Sequence, residues 1–485
     1  MVVIPCGFES RLRHKIKSME NKFDVIVVGS GPGGYVAAIR AAQLGFSVAV
    51  VERESLGGIC LNWGCIPTKA LLKSAQVYNN MKHASDYGLN AGEFGFDFDA
   101  IIKRSRGVAD KMSKGIGFLF RKNKITVIQG TGYISKDKKI IVTNNNGEES
   151  LYEANHIILA TGARARQLPN LEIDGKNIIG YRQAMTLNKI PGKMLVVGGG
   201  AIGVEFAYFY NSLGVEVTIV EFLKQGLLPR EDKEVSRVLA RSFKKQGIKV
   251  MASTSVEKVD IKDNKCKVTV KNMKNDKTEE IEVDIVLSAI GITPNTENIG
   301  LEELGINMDR GFIIVDDFYK TNVDGIYAIG DIIPTPALAH VASAEGITCV
   351  ENIAGLNPDT INYNNIPSNT YCSPEVASVG YTEEQAKEKF GEIKVGKFPF
   401  TASGKASAAG ENDGFAKLIF EAEYGELVGA HLVGYNVTEM IAELVVARNL
   451  EITGHELIKS IHPHPTISEG IMEAAAAAYG EVIHL

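Results

Sequence analysis

Two stretches of the chain share one hydrophobic pattern. Residues 22–34, KFDVIVVGSGPGG, and residues 193–203, KMLVVGGGAIG, are each a short β-branched run that opens into glycines and then into a helical pattern. A second apolar run ending in an acid follows each of them, SVAVVE to Glu52 and EVTIVE to Glu221. From Gly29 to Glu52 and from Gly198 to Glu221 is 23 positions in both cases. Two strand–glycine-loop–helix–strand units of equal spacing predict two dinucleotide-binding domains in one chain. The helix after the first loop is expected over 35–44.

Between the two units the pattern predicts a helical stretch over roughly 68–123 and then short strands. ILATGA at 158–163 reads as a strand and turn at the boundary, and VLSAIG closes the second unit at Gly291. The stretch 311–331 reads as strands running into the glycine–acid turn IYAIGD. After about Tyr363 the style changes. Strand-and-turn patterns (ASVGYT, FAKLIF, LVGAHLVG) mix with amphipathic helices such as 438–449, which predicts a C-terminal α+β domain. The expected fold is therefore α/β, with two Rossmann-like domains and a C-terminal α+β domain. At 485 residues the chain is too long for one hydrophobic core, which agrees with three or so domains.

The loops carry candidate chemistry. In Gly29-Ser-Gly31-Pro-Gly-Gly34 the glycines allow a tight turn, bring backbone N–H groups to a pyrophosphate and let the helix pack closely on the strand. The strand before, the helix after and Glu52 at the end of the next strand make this more than an isolated motif. The second loop is Gly198-Gly-Gly200-Ala-Ile-Gly203, with Glu221 ending its strand. A carboxylate there accepts hydrogen bonds from ribose hydroxyls and repels a 2′-phosphate, so NAD is expected rather than NADP. Two loops imply two dinucleotides, one held tightly as a flavin and one exchanging nicotinamide; the pattern does not say which loop holds which.

Composition removes other classes. A net charge of −6 and the lack of a Lys/Arg cluster argue against nucleic acid, and no apolar run is long enough to span a bilayer. No metal site is expected. The first eighteen residues carry Arg11, Arg13, His14, Lys15 and Lys17 against Glu9. They read as a disordered extension, with an organelle targeting segment as the alternative. Of six cysteines, Cys6, Cys266, Cys349 and Cys372 are scattered singly and read as small buried or surface side chains.

Cys60 and Cys65 stand apart, in GGICLNWGCIPTKALL just beyond Glu52. Four intervening residues can close a small disulfide at the start of a helix, expected near Pro67, whose N-terminus lowers a thiol pKa. The alternatives are a zinc half-site, for which no second Cys or His pair stands at zinc-like spacing, and unpaired structural cysteines. The neighbouring nucleotide loop favours a redox-active disulfide.

With these residues the chain resembles the pyridine nucleotide–disulfide oxidoreductase family, over about 23–485. ATGA at 160–163, GGGAIGVE at 198–205, TNVDGIYAIGD at 321–331, LAHVASAEG at 338–346 and HPHPTISE at 462–469 occur in the family's order. The resemblance implies an FAD-binding domain of 19–163 and 292–362 after the 1–18 extension, an NAD-binding domain of 164–291 and a dimerisation domain of 363–485. It assigns to FAD the residues Gly29, Gly31, Gly34, Glu52, Arg53, Gly58, Lys69, Gly132, Thr161, Gly162, Leu338, Ala339 and His340, with Asp331 at the ribityl chain. To NAD it assigns Gly198, Gly200, Ile202, Gly203, Glu205, Glu221, Val256 and Gly291. Lys69 resembles the lysine near flavin N5, and Glu205 its partner near the nicotinamide. One departure is AIGITPN, where Ile292 stands in place of the family's frequent arginine.

His464 and Glu469 complete the expected chemistry. Thiol–disulfide exchange needs a proton acceptor, which histidine provides in the right pH range, and a carboxylate can fix its tautomer. His462 reads instead as a histidine that satisfies a core hydrogen bond. The family resemblance places His464 at the cysteine pair of the other subunit, which implies a homodimer. Within the family the chain is most similar to members that oxidise protein-bound dihydrolipoyl groups with NAD⁺. The partners implied are lipoyl domains of an acyltransferase (E2) component or of the glycine cleavage H protein, in the bacterial cytoplasm. His464 would take a thiol proton, the thiolate would attack Cys60, and the electrons would leave through Cys65. The rival readings are a glutathione or mercuric reductase-like enzyme of the same family and a redox-silent binding subunit. The first is disfavoured by Glu221 and by a C-terminal AAAAAYGEVIHL without a cysteine pair, the second by the presence of Cys60, Cys65 and His464.

Overall fold

The computed structural model describes residues 21–485; the expected extension at 1–18, and Cys6 within it, lie outside the described residues. The chain divides into two compact units. One is built from 21–62, 111–163 and 294–361, the other from 63–110, 164–293 and 362–485.

The first unit is organised by the strand Lys22–Val28, which lies parallel to Val48–Glu52 on one side and to Glu149–Leu159 on the other. Thr126–Gln129 extends the sheet beyond Val48–Glu52, and Ile326–Ala328 adds in parallel to Glu149–Leu159. Ile140–Thr143 and Thr131–Ile134 continue it antiparallel, completing seven strands. Val25, Ile26, Val27 and Val50 are fully buried, as strands of a parallel sheet covered on both faces must be. The helices Pro32–Gln43 and Ala339–Ile353 pack together through small residues. A Cβ on Gly346 would stand 2.8 Å from the carbonyl oxygen of Gly33, so only glycine allows this approach.

The second unit holds a parallel sheet in the order Lys249–Ala252, Glu216–Glu221, Lys193–Val197, Ile285–Ser288, Ile178–Ile179. Between Lys249–Ala252 and Ile285–Ser288 the chain leaves this sheet for an antiparallel meander, Thr254–Lys262, Lys265–Asn272 and Thr278–Val283. The sequence reading did not foresee that meander. The helix Ala201–Ser212 is buried from Gly203 through Tyr210 and packs on Cys65–Lys82. In the C-terminal part a five-stranded antiparallel sheet is covered by the helices Val437–Asn449 and Glu469–Tyr479. Its strands Phe415–Glu421 and Leu427–Gly434 are buried throughout. The expected α+β character is present there.

Three local expectations shift. The first helix begins at Pro32 rather than at 35, because proline at the first helical position needs no N–H partner. The helix after the cysteines begins at Cys65, with Pro67 in its first turn. The stretch 311–331 forms only the strands Phe312–Ile313 and Ile326–Ala328. Between them the Asp316 carboxylate accepts from the N–H groups of Phe318 and Lys320, which turns the chain where extended structure was expected. Cys266, Cys349 and Cys372 are buried, as small apolar side chains. No helix among the described residues is long and apolar enough to cross a membrane.

Candidate active site

The first glycine loop joins Lys22–Val28 to Pro32–Gln43. Gly29 has φ +104°, and a Cβ there would meet the Ala160 carbonyl oxygen at 2.3 Å; a Cβ on Gly34 would meet the Gly29 oxygen at 2.0 Å. Both glycines are therefore fixed by the turn itself. Nothing lies within 4 Å of a Cβ placed on Gly31, so the loop is open there. Glu52 is 7% exposed and turned back onto the loop: its Oε2 accepts from Ser30 N at 3.0 Å and Ser30 Oγ at 2.6 Å. Its Oε1 accepts from Glu54 N at 2.8 Å. The helix N-terminus carries no side-chain cap, leaving its N–H groups for an anion.

Gly58 lies against the same loop, where a Cβ would stand 2.6 Å from Gly31 Cα. Arg53 is exposed beside Glu52, and Gly132 is buried against Val28 and Val51. Thr161 and Asn295 are doubly bonded, with Thr161 Oγ1 donating to the Asn295 carbonyl at 2.7 Å and Asn295 Nδ2 to the Thr161 carbonyl at 3.0 Å. Gly162 follows with φ +68°. Asp331 sits in the short 3₁₀ turn Gly330–Ile332, and burial pushes its carboxyl pKa up. Leu338 caps the helix Ala339–Ile353 and is half-buried with Ala339, while His340 is exposed.

The second loop repeats the first. Gly198 has φ +112°, and a Cβ on Gly203 would stand 2.0 Å from the Gly198 oxygen. Gly200 faces open space. Glu221, 8% exposed, accepts from Gly199 N at 2.6 Å and from Leu223 N at 2.7 Å. The helix Ala201–Ser212 again has no side-chain cap, and Ile202 at its start is exposed. Gly291 takes φ +111° and accepts from Arg166 N at 3.0 Å. Val256 lies on the meander strand Thr254–Lys262, half-buried.

Cys60 is half-buried in the helix Gly58–Trp63. Cys65 is exposed at the first position of Cys65–Lys82, whose N-cap, Gly64, offers no capping side chain. Thr68 Oγ1 closes that first turn onto the Gly64 carbonyl at 2.7 Å. One turn along, Lys69 Nζ donates to both carboxylate oxygens of Glu205 at 3.0 Å. Tyr371 completes the arrangement: its N–H donates to Glu205 Oε1 at 3.0 Å, and its ring lies 4.3 Å from Lys69 Nζ. Glu205 is 5% exposed, so its charge is compensated where it is buried. Trp63 is stacked by the guanidinium groups of Arg106 and Arg182, at 4.3 and 5.1 Å. Sequence reasoning missed Tyr371, Asn295, Ser30 and this Trp63 clamp. Only Ser30, inside the glycine loop, had a local signal.

His464 is 80% exposed at its side chain, and its Nδ1 lies 2.8 Å from Glu469 Oε1. Burial pushes the Glu469 carboxyl up, but the Thr466 N–H and the neighbouring imidazoles of His464 and His462 outweigh it and hold the group below its ordinary value. Among the described residues, no hydrogen bond or ion pair joins His464 or Glu469 to the Lys69–Glu205 pair.

The family described as pyridine nucleotide-disulphide oxidoreductase matches residues 23–346, and its dimerisation domain matches 366–475. A dihydrolipoyl dehydrogenase of Zymomonas mobilis is 50% identical over 467 residues, covering 96% of this chain and 100% of the relative. One from Rhizobium etli is 48% identical over 96% of this chain and its own whole length. Among solved structures, LpdA from Mycobacterium tuberculosis superposes with a TM-score of 0.87 at 29% identity, over 93% of this chain and 98% of that one. The HOCl-induced flavoprotein disulfide reductase RclA from Escherichia coli superposes with a TM-score of 0.82 at 26% identity, over 93% and 99%. The chain belongs to the pyridine nucleotide-disulphide oxidoreductase family.

Proposed function

We propose that the chain oxidises protein-bound dihydrolipoyl groups with NAD⁺ through a Cys60–Cys65 disulfide, FAD and the His464–Glu469 pair. The observation that carries the reading is Cys65 at the first position of an uncapped 18-residue helix, one turn before the Lys69–Glu205 pair. A thiolate is favoured there by roughly 0.3–1 kcal/mol from the helix terminus. The full-length relatives named dihydrolipoyl dehydrogenase support the choice of substrate.

The residues present fit both cofactors. Two open glycine loops with uncapped helix N-termini suit two pyrophosphates, and a carboxylate at each following strand end suits a ribose. We assign FAD to the loop at Gly29 and NAD to the loop at Gly198, with Asp331, a carboxyl whose pKa burial raises, toward the flavin's ribityl hydroxyls. We divide the chain accordingly, into an FAD domain of 19–163 and 292–362, an NAD domain of 164–291 and a dimerisation domain of 363–485. FAD supplies an electron relay between a dithiol and the nicotinamide. Lys69, held by Glu205 and Tyr371, keeps a positive charge fixed for that relay. His464 accepts the incoming thiol's proton, oriented by Glu469, and the thiolate attacks Cys60. The second lipoyl thiolate then attacks the mixed disulfide, releasing oxidised lipoyl and leaving Cys60 and Cys65 as the dithiol. The partners we assign are a second copy of the chain and lipoyl domains of an acyltransferase or of the glycine cleavage H protein, in a bacterial cytoplasm.

The test is NAD⁺ reduction by dihydrolipoamide, followed as NADH absorbance, for the wild type and Cys60→Ser. An active wild type beside an inactive variant that retains its FAD supports the reading. A wild type that is inactive with dihydrolipoamide but reduces another disulfide with NADH overturns the substrate.

A further inference from the structure

His462, read from the sequence as a histidine that satisfies a core hydrogen bond, has a polar partner at each ring nitrogen. It lies between the short helix Gly454–Lys459 and the helix Glu469–Tyr479, two residues before His464. Its side chain is 6% exposed, against 80% for His464. Its Nδ1 lies 3.0 Å from the Ser460 carbonyl oxygen and its Nε2 lies 2.8 Å from Glu443 Oε1, on the helix Val437–Asn449. A carbonyl oxygen only accepts, so Nδ1 donates to it, and with Nε2 against a carboxylate the arrangement favours the doubly protonated, positively charged ring.

The surrounding charges agree. The hydrogen bond to the Glu443 carboxylate raises the His462 pKa above its ordinary value; burial opposes, and the charges of Glu443 and Glu469 add to the rise. Glu469 in turn is held low in part by His462. Other charged groups on the packed elements are engaged elsewhere. Glu439 acts on Glu375, Arg448 bonds Asn364 and Asn365, Glu456 is turned to Thr453 and acted on by Lys459, and Glu473 holds His484. The result is an alternating row of charges, Glu443, His462, Glu469, His464, in which the His462 ring ties the chain at Ser460 to the helix Val437–Asn449.

We propose that His462 is a positioning residue for the thiol half-reaction: bridging Glu443 and the Ser460 carbonyl, it pins the segment that presents His464 and sets a fixed positive charge beside Glu469. This rests on His464 being the proton acceptor. Neutralising His462 removes a positive charge that helps hold Glu469 ionised beside His464, so the acid limb of activity moves to higher pH.

The experiment uses the full-length, FAD-loaded protein and the variants His462→Gln, Glu443→Gln and His464→Gln. Glutamine at 462 keeps hydrogen-bonding capacity but carries no charge. Two rates are read across pH, NAD⁺ reduction by dihydrolipoamide and NADH oxidation by ferricyanide, which needs no thiol proton acceptor. For H462Q and E443Q the acid limb of kcat/KM for dihydrolipoamide is expected to rise by roughly half a pH unit, the size of effect a nearby unit charge has at a partly screened site. The rate at neutral pH falls several-fold, while flavin absorbance and the ferricyanide rate stay at wild-type values. If H464Q is inactive with dihydrolipoamide but H462Q and E443Q keep the wild-type pH profile, this proposal fails alone. If both rates of H462Q fall together, its role is in folding and the proposal is overturned. If H464Q keeps wild-type activity, the proton-acceptor reading fails and takes this one with it.

Discussion

Lys417 offers a demanding test of the energetics. Its side chain is 1% exposed, and its ammonium lies 3.0 Å from Asp232, 2.9 Å from Glu234 and 2.7 Å from Glu383. Its three N–H donors thus meet three carboxylates. Asp232 also caps the helix Lys233–Lys245, accepting from Glu234 N at 3.0 Å. Lys417→Met keeps the length of the side chain and removes the charge. Breaking a buried ion pair from one side costs about 3–5 kcal/mol. The lower end is expected, because Glu234 keeps Lys397 at 2.7 Å and Glu383 keeps Lys387 at 2.5 Å, while Asp232, 4% exposed, loses its direct cation. A loss of about 3 kcal/mol lowers the thermal midpoint by roughly 6–12 °C for a cooperative unit of some 150–250 residues, read by circular dichroism. The pH dependence follows from the signs. Burial pushes Asp232 and Glu234 up, but their hydrogen bonds and cations win and leave both carboxyls, like that of Glu383, below their ordinary values. Their contribution is therefore full above the unfolded carboxylate range, about pH 4, and is lost as pH falls through the lowered folded values. Burial alone would lower Lys417, but its carboxylates raise it, so its contribution is full below about pH 10 and lost only above that. The gap between wild type and variant should be flat from roughly pH 5 to 9 and close in acid. Adding Asp232→Asn, which still caps the helix, should recover about 1–3 kcal/mol. A variant as stable as the wild type at pH 7, or a deficit that persists in acid, refutes the reasoning.

Three further outcomes follow from the site. Gly203→Ala puts a methyl group 2.0 Å from the Gly198 oxygen, so NADH affinity, measured by fluorescence titration, should fall at least tenfold with the FAD retained. In Glu205→Gln the half-buried Lys69 ammonium loses its carboxylate partner. The rate of flavin reduction by NADH in stopped flow should drop by about 10-fold or more, and an unchanged rate would separate the pair from the nicotinamide step. Glu469→Gln should lower dihydrolipoamide turnover by roughly 10²-fold. Because Glu469 is held below its ordinary value, it is ionised throughout the neutral range. An acid limb of the wild-type profile above about pH 5 thus belongs to another group, and a limb at that pH that vanishes only in E469Q would contradict this assignment.

The sequence by itself determined what short-range physics determines. Strand, glycine turn and helix follow one another within a dozen residues, so both nucleotide loops and their strand-end carboxylates, Glu52 and Glu221, were legible, and each carboxylate does fold back onto its own loop. The placement of Cys65 at a helix start and the Nδ1 contact of His464 with Glu469, five residues on, are equally local. Tertiary structure decided the rest. Lys69 and Glu205 are 136 positions apart, and Tyr371, which holds Glu205, stands 166 beyond it. Lys417 reaches Asp232 across 185 positions. His462 looked like an ordinary core histidine until Glu443 came against it from another helix. Hydrophobic periodicity reports which face of an element is buried; it carries no record of which distant charge will be buried beside it. That is settled only when the sheets and helices pack and each desolvated charge must find a partner within about 3 Å.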